Sequence, residues 1–155
     1  KMNKAKLAQV DLSKADMSGA NLTGADLTES NLRDCDLSRA NLTEAILQKA
    51  NLKSTFLIGA NLQKTDLTDV NLEGANISGV KLGKANCQKA NMKNVDLQRS
   101  DLEHADFAQA DLAGANLTGS KLVDAHFKNA NLTGANLNLT DTTDTDFSEA
   151  KGYNS

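Results

Sequence analysis

The stretch ANLTGADL, residues 20–27, poses the question of the fold. Leu22 and Leu27 stand five apart, and so do Ala20 and Ala25. Working outward from Leu22 in steps of five, centres run from Leu7 to Phe147 without an insertion or deletion. Of these 29 positions, 21 are Leu, and only Thr142 is polar. Two residues before the centre, 17 are Ala and the rest are Val, Ser, Thr or Cys. Directly before the centre, 23 are Asn or Asp. The two residues after it vary and are mostly polar.

Neither regular element explains this register. Ala and Leu favour helices, but five residues turn a helix by about 500°, so the leucines would walk around every side. In one long strand an odd step would flip each Leu to the opposite face. Within a pentapeptide, however, Ala20 and Leu22 are two apart and share a face of an extended segment. If the chain then turns, the next Ala-x-Leu faces the same interior. The pentapeptide is therefore a short extended piece plus a turn, wound into a coil.

The deviations set the size of the coil. Phe107, Phe127 and Phe147 recur every twenty residues. Gly two past the centre falls at 19, 59, 79 and 119 in one class of that period, and at 74, 114 and 134 in a second. Twenty residues are four pentapeptides, so a four-sided coil is expected. Gly at the second central position suits a type II turn, which needs φ > 0 there. Type II corners are predicted on the two Gly-rich sides.

Tandem A(D/N)Lxx resembles the pentapeptide-repeat family over about residues 5–150. That resemblance implies an all-β fold: a right-handed quadrilateral parallel β-helix, a solenoid of about seven coils of four pentapeptides. At about 4.8 Å per coil the rod would be roughly 35 Å long. Carried over, Ala20 and Leu22 point inward, while Asn21, Thr23 and Gly24 lie outside. One ladder of the core is expected to comprise Leu22, Leu42, Leu62, Leu82, Leu102 and Leu122, and another Phe107, Phe127 and Phe147. Residues 1–155 form a single domain in this reading, with a short polar tail at 151–155.

Composition agrees with a narrow core: hydrophobic content is 39% but aromatic content only 3%. No apolar run approaches a membrane span, and the start lacks the apolar stretch of a signal peptide. A soluble, cytoplasmic chain with no membrane partner is expected. A chloroplast lumen, or a place as one domain of a longer protein, is the alternative. Cys35 and Cys87 lie 52 residues apart, more than two coils, and are read as inward-facing free thiols.

The outward columns carry little chemistry. The repeated Asn/Asp residues are read as hydrogen-bonding to turn backbone rather than as calcium ligands. His126 falls in a column with Asp106 and Asp146, where a metal site or general base is conceivable, but a solvated ladder is favoured. His104 lies between Lys84 and Asp124 and shows no convergence. With no nucleophile beside a base, no phosphate loop and no pocket expected in a regular rod, the chain is read as a non-enzyme. It takes no cofactor, no metal and no small-molecule substrate.

Two features bear on partners. Ile46, Phe56 and Ile58 are apolar residues at positions that should face solvent, and they form the candidate protein-contact surface. Phe56 and Ile58 flank Leu57 on one side, and Ile46 lies on another. Charge is uneven, with 14 Lys/Arg against 11 Asp/Glu in residues 1–100 and 3 against 9 in residues 101–155. The basic columns Arg33, Lys53, Lys93 and Lys64, Lys84, His104 lack aromatic platforms, so nucleic acid is disfavoured. The expected function is a scaffold or protein-protein interaction module whose partner the sequence does not identify. Open ends also allow an end-to-end homodimer. The alternative comes from the resemblance. Some family members mimic B-DNA and protect gyrase, a type II topoisomerase, from quinolones. That role needs a strongly electronegative rod, and here only the C-terminal third is acidic.

Overall fold

The computed structural model describes residues 2–153. Lys1, Asn154 and Ser155, at the limits of the expected domain and its tail, lie outside the described residues. The chain winds as a β-helix solenoid. Parallel bridges join each residue that precedes a centre to its equivalent twenty residues on, from Lys6↔Asp26 to Asn131↔Lys151. Four pentapeptides therefore make one turn, and four sides can be named after the centres Leu22, Leu27, Leu32 and Leu37. Each side is too short for a strand of several paired residues. It contributes one bridge, and the ladder is built from coil to coil: Leu62 N–H donates to the Lys81 carbonyl at 2.7 Å, and Lys81 N–H to the Ala60 carbonyl at 3.0 Å.

The interior is a column of side chains two per pentapeptide. Leu22, Leu42, Leu62, Leu82, Leu102 and Leu122 are buried along the Leu22 side, and Phe107 and Phe127 are buried on the Leu27 side. Phe147, in the last turns, is only partly covered. Burying one Leu contributes about 1.5–3 kcal/mol. Ala or a small hydroxyl residue two before the centre keeps the rod narrow. Where that residue is polar, its hydroxyl finds a backbone carbonyl, in its own turn for Ser30 and Thr140 and in the coil before it for others. Thr55 Oγ donates to the Leu32 carbonyl at 2.8 Å, Thr65 Oγ to Leu42 at 2.9 Å, and Ser120 Oγ to Leu97 at 2.6 Å. Cys35 and Cys87 are buried free thiols.

The corners go beyond the sequence expectation. Type II corners were expected on the two Gly-rich sides, and positive φ is found there and also at every other residue two past a centre, from Gln9 to Glu149. Non-glycine corners hold φ near +60°, as in Lys64 at +57° and His104 at +58°. The reason is cooperative. That residue's N–H must meet the next coil, as Lys64 N–H meets the Gly83 carbonyl at 3.0 Å, while the turn closes by Thr65 N–H donating to Leu62 at 3.2 Å. The ladder imposes one corner on all four sides, and non-glycine residues adopt it at a cost of about 1–2 kcal/mol each.

At the C-terminal end Gly152, with φ +76°, turns the chain across the last coil. It sends Tyr153 onto Phe147, with ring centroids 3.8 Å apart and planes 11° from parallel. A Cβ on Gly152 would lie 2.6 Å from Thr133 Cα and 2.7 Å from Thr133 N. Gly152→Ala is therefore expected to displace this segment and unstack Tyr153. Because the chain has a single Tyr, loss of its near-ultraviolet circular dichroism band, with the far-ultraviolet spectrum kept, is the signature to measure.

Candidate interaction surface

The outer face of each side is made from the residues just before and just after the inward centre. On all four sides the first of these is held by an Asx turn. Asp16 Oδ1 accepts from Ser18 N at 3.0 Å and Ser18 Oγ at 2.7 Å. Asn41 Oδ1 accepts from Thr43 N and Oγ, and Asn71 Oδ1 from Glu73 N. On the Leu32 side the amides also link coil to coil, as in Asn91 Nδ2 donating to Asn71 Oδ1 at 3.1 Å. The Asx column is thus occupied with backbone.

These bonds lower several carboxylate pKa values. The Ser18 and Thr28 hydroxyls, and then their backbone N–H groups, hold Asp16 and Asp26 below the usual 3.8. For Asp11 and Asp146 the backbone N–H of Ser13 and Ser148 leads, and for Asp141 the Thr143 hydroxyl. A group whose folded pKa is depressed supports the fold above its unfolded pKa and stops doing so as pH falls through the folded value. The urea midpoint should therefore be flat near neutrality and decline once pH drops below about 4. Ser18→Ala should shrink the Asp16 part of that decline, seen by NMR titration of the carboxyl.

The expected contact residues are exposed, but they do not form one patch. Phe56 is 49% exposed, Ile58 43% and Ile46 40%. Phe56 is bridged to Asp36 and Asn76, whereas Ile46 is bridged to Asp26 and Asp66. The two ladders are two pentapeptides apart in a four-pentapeptide coil, so Ile46 lies on the side opposite Phe56 and Ile58. What the Leu37 side does assemble is a knob between two open hollows. One, of about 470 Å³, lies among Ser18, Gly19, Ser38, Arg39 and Ile58. The other, of about 450 Å³, lies beyond Ile58 over Gly59, Ser78, Gly79 and Arg99. Among the described residues neither Arg39 nor Arg99 makes an ion pair. Leu139, at 88% the most exposed large apolar side chain, belongs to the same side further along.

The pocket-free rod expected from sequence is also corrected by a dent of about 260 Å³ on the Leu22 side. It opens where Gly83 interrupts the column of Gln63 and Glu103, with Lys64, Lys84 and His104 on its rim. The basic columns are largely neutralised. Lys53 pairs with Glu73 at 3.2 Å, Lys93 with Asp111 at 3.2 Å, and Lys64 with Glu44 at 3.5 Å. His104, expected between Lys84 and Asp124 without convergence, has its Nδ1 3.5 Å from Asp124 Oδ2. Such exposed pairs contribute about 0–1 kcal/mol each. Among the described residues no three His, Cys, Asp or Glu side chains are grouped to hold a metal, the Asp106–His126–Asp146 column included. Burial pushes the Cys87 thiol far up, with the Asp106 and Asp66 carboxylates adding to the shift. Burial likewise raises Cys35, whose thiol is held between the Leu12 and Ala15 carbonyls at 3.1 Å. Among the described residues no helix is long and apolar enough to cross a membrane.

Comparison with known proteins follows this geometry. The family model for pentapeptide repeats matches residues 1–34, 35–74, 45–83, 71–112 and 110–149. Among solved structures the chain is similar to HetL from the cyanobacterium Nostoc sp. strain PCC 7120, a pentapeptide repeat protein involved in heterocyst differentiation regulation. The two are 34% identical with a TM-score of 0.79, over 99% of this chain and 73% of HetL. It also matches Rfr23, a pentapeptide repeat protein from the cyanobacterium Cyanothece 51142, at 26% identity and TM-score 0.39, over 88% of this chain and 90% of that one. A third match is QnrB1, a plasmid-mediated fluoroquinolone resistance protein, at 21% identity and TM-score 0.48, over 97% and 86% of the two chains. No curated protein matches the chain.

Proposed function

Since the chain belongs to the pentapeptide-repeat family, we propose that it is a non-enzymatic interaction module, a single-domain rod that offers its Leu37 side to a protein. In this reading the rod is a right-handed quadrilateral helix of about seven coils. The observation that carries it is the half-exposed pair Phe56 and Ile58, set in a side that otherwise shows solvent only polar residues and Gly near it, Arg39 and Arg99 among them. Solvent-exposed apolar pairs rimmed by polar residues mark contact surfaces. The similarity to HetL, a protein described as regulatory, supports a regulatory rather than a catalytic task. The high thiol pKa values and the Asx turns that tie up the carboxylate columns support the same reading.

The test is affinity capture from native lysate with the parent chain, a Phe56→Asp/Ile58→Asp variant and an Ile46→Asp variant, all matched by circular dichroism. A specific protein retained by the parent and by Ile46→Asp, but lost with the double variant, is the expected result. Equal retention by all three overturns the assignment of the face. The gyrase reading is tested by a supercoiling assay, where no inhibition at micromolar chain is expected, because residues 1–100 carry 14 Lys/Arg against 11 Asp/Glu.

A further inference from the structure

One hydrogen bond recurs over the whole outer face, and it is missing at the dent on the Leu22 side. Every Asn or Asp that precedes a centre, from Asp11 to Asp146, accepts from the N–H two residues on. Lys6, Ile46, Phe56, Lys81, Lys121 and His126 stand at the same position and carry no such oxygen. Two residues past most of these come Ala8, Gln48, Ile58, Val123 and Lys128, each with a side chain. Two past Lys81 comes Gly83, the one glycine at that place in the repeat. In the coils on either side the bond is made. Gln63 N–H donates to Asn61 Oδ1 at 3.1 Å, and Glu103 N–H to Asp101 Oδ1 at 3.2 Å. Gly83 N–H has no acceptor among the described residues, whereas its carbonyl accepts from Lys64 N–H. Gly83 lines the dent of about 260 Å³, so a donor that is capped elsewhere is left open there. Two nearby cations are also free. Among the described residues neither Lys81 nor Lys84 forms an ion pair, although Lys53, Lys64, Lys93 and Lys121 do. Lys84 lines the dent, and Lys81 is bridged between Asn61 and Asp101. The carboxylates on the far wall are engaged, Asp101 by Glu103 N–H and Glu103 by Lys121 at 4.0 Å.

We propose that the dent over Gly83 is a binding site for a carboxylate. One oxygen of the ligand takes the place that Asn61 Oδ1 and Asp101 Oδ1 hold in the adjoining coils, and accepts from Gly83 N–H. The ammonium groups of Lys81 and Lys84 meet its negative charge. Hydrogen bonds to an ionised oxygen are stronger than neutral ones, and lysine brings a point charge on a flexible stem. Size narrows the ligand. The dent is smaller than the roughly 300–1,000 Å³ of pockets that hold a drug-sized molecule, so the occupant is a short acid. It is either a small free carboxylate or the acidic side chain of a larger molecule. The site is open to solvent, and its affinity is accordingly millimolar. It lies on the Leu22 side and is independent of the contact surface on the Leu37 side, so either can fail without the other.

Amide NMR of the 155-residue chain tests this, with sodium acetate exchanged for sodium chloride at constant ionic strength. A saturable shift of the Gly83 amide is expected, with the equally uncapped Gln48 and Val123 amides unmoved. Lys81→Asp should abolish the shift, because its own carboxylate then caps Gly83 N–H as Asp101 caps Glu103. Gly83→Val should abolish binding by filling the dent. A Cβ there meets Gln63 Nε2 and the Glu103 carbonyl at 3.6 Å, an ordinary contact, and the backbone has no positive φ to oppose it. Lys84→Gln should weaken binding about two- to fivefold, the effect of one exposed charge pair. Circular dichroism confirms the fold of each variant. A blocked tripeptide with a central aspartate separates the two sources. Tighter binding than acetate assigns the site to an acidic side chain of a protein, and equal or weaker binding assigns it to a small free acid. A Gly83 shift that grows linearly with acetate, without saturating, overturns the proposal. So does a saturable shift that survives Lys81→Asp, or one shared equally by Gln48 and Val123.

Discussion

Phe127→Ala is expected to lower the unfolding free energy by about 3–5 kcal/mol. Phe127 is fully buried on the Leu27 side. It lies between Phe107, whose centroid is 4.8 Å away with planes 9° apart, and Phe147, at 5.3 Å and 18°. Truncation removes the transfer energy of the ring and leaves a void that a narrow, regular core closes poorly. It also breaks two stacked contacts, each worth about 0.5–1.5 kcal/mol beyond area. Urea unfolding gives the free energy. Because solenoid stability is mostly nearest-neighbour, hydrogen exchange should locate the loss. Amides of residues 130–150 should lose protection first, while those near Leu62 keep theirs. Phe147→Ala, at a partly covered end of the same stack, should cost clearly less. Equal costs for the two would mean that the aromatic column does not act as a stack.

The second large effect turns on a shift of one residue. Asn86→Asp should be nearly neutral, within about ±0.5 kcal/mol. Asn86 stands in the outward column, where its Oδ1 accepts from Gln88 N at 3.1 Å and where Asp is nearly as common as Asn. Ala85→Asp should cost about 3–5 kcal/mol, the range found when a buried charge is left without a partner. Ala85 is 2% exposed, and its ladder neighbours are Thr65 and Ala105, neither of which is cationic. Burial would raise the pKa of the new carboxyl above its unfolded value. The penalty should therefore ease as pH falls through that raised value, opposite in sign to the behaviour of Asp16 and Asp26. Comparing urea midpoints at pH 7 and pH 5 for the two variants checks both the size and the sign.

The inward positions were readable because they obey a purely local rule. A residue five past an inward Leu is again inward whatever the rest of the chain does, so Leu22 through Leu122 and the Phe107–Phe127–Phe147 column follow from counting. The twenty-residue register followed in the same way from the spacing of Phe and Gly. The Asx turns were legible too, since Asp16 to Ser18 is a contact within one pentapeptide. The corners were not. Judged alone, Lys64 or His104 has no reason to take positive φ, and only the hydrogen-bonded ladder between coils makes that conformation the better choice.

The candidate surface divides along the same line. That Ile46, Phe56 and Ile58 face solvent is a consequence of position within the pentapeptide, and the sequence alone settled it. That Ile46 lies across the rod from the other two follows once four pentapeptides complete a turn, a count the Phe and Gly spacing suggested and the bridges between coils fix. The dent at Gly83, the approach of His104 to Asp124 and the stacking of Tyr153 on Phe147 join residues about twenty apart or more, or depend on where the chain turns at Gly152. Period and polarity are written locally in the chain. Which residues become neighbours across coils is decided when backbone N–H and C=O groups pair from one turn to the next, because that pairing alone sets the register between distant pentapeptides.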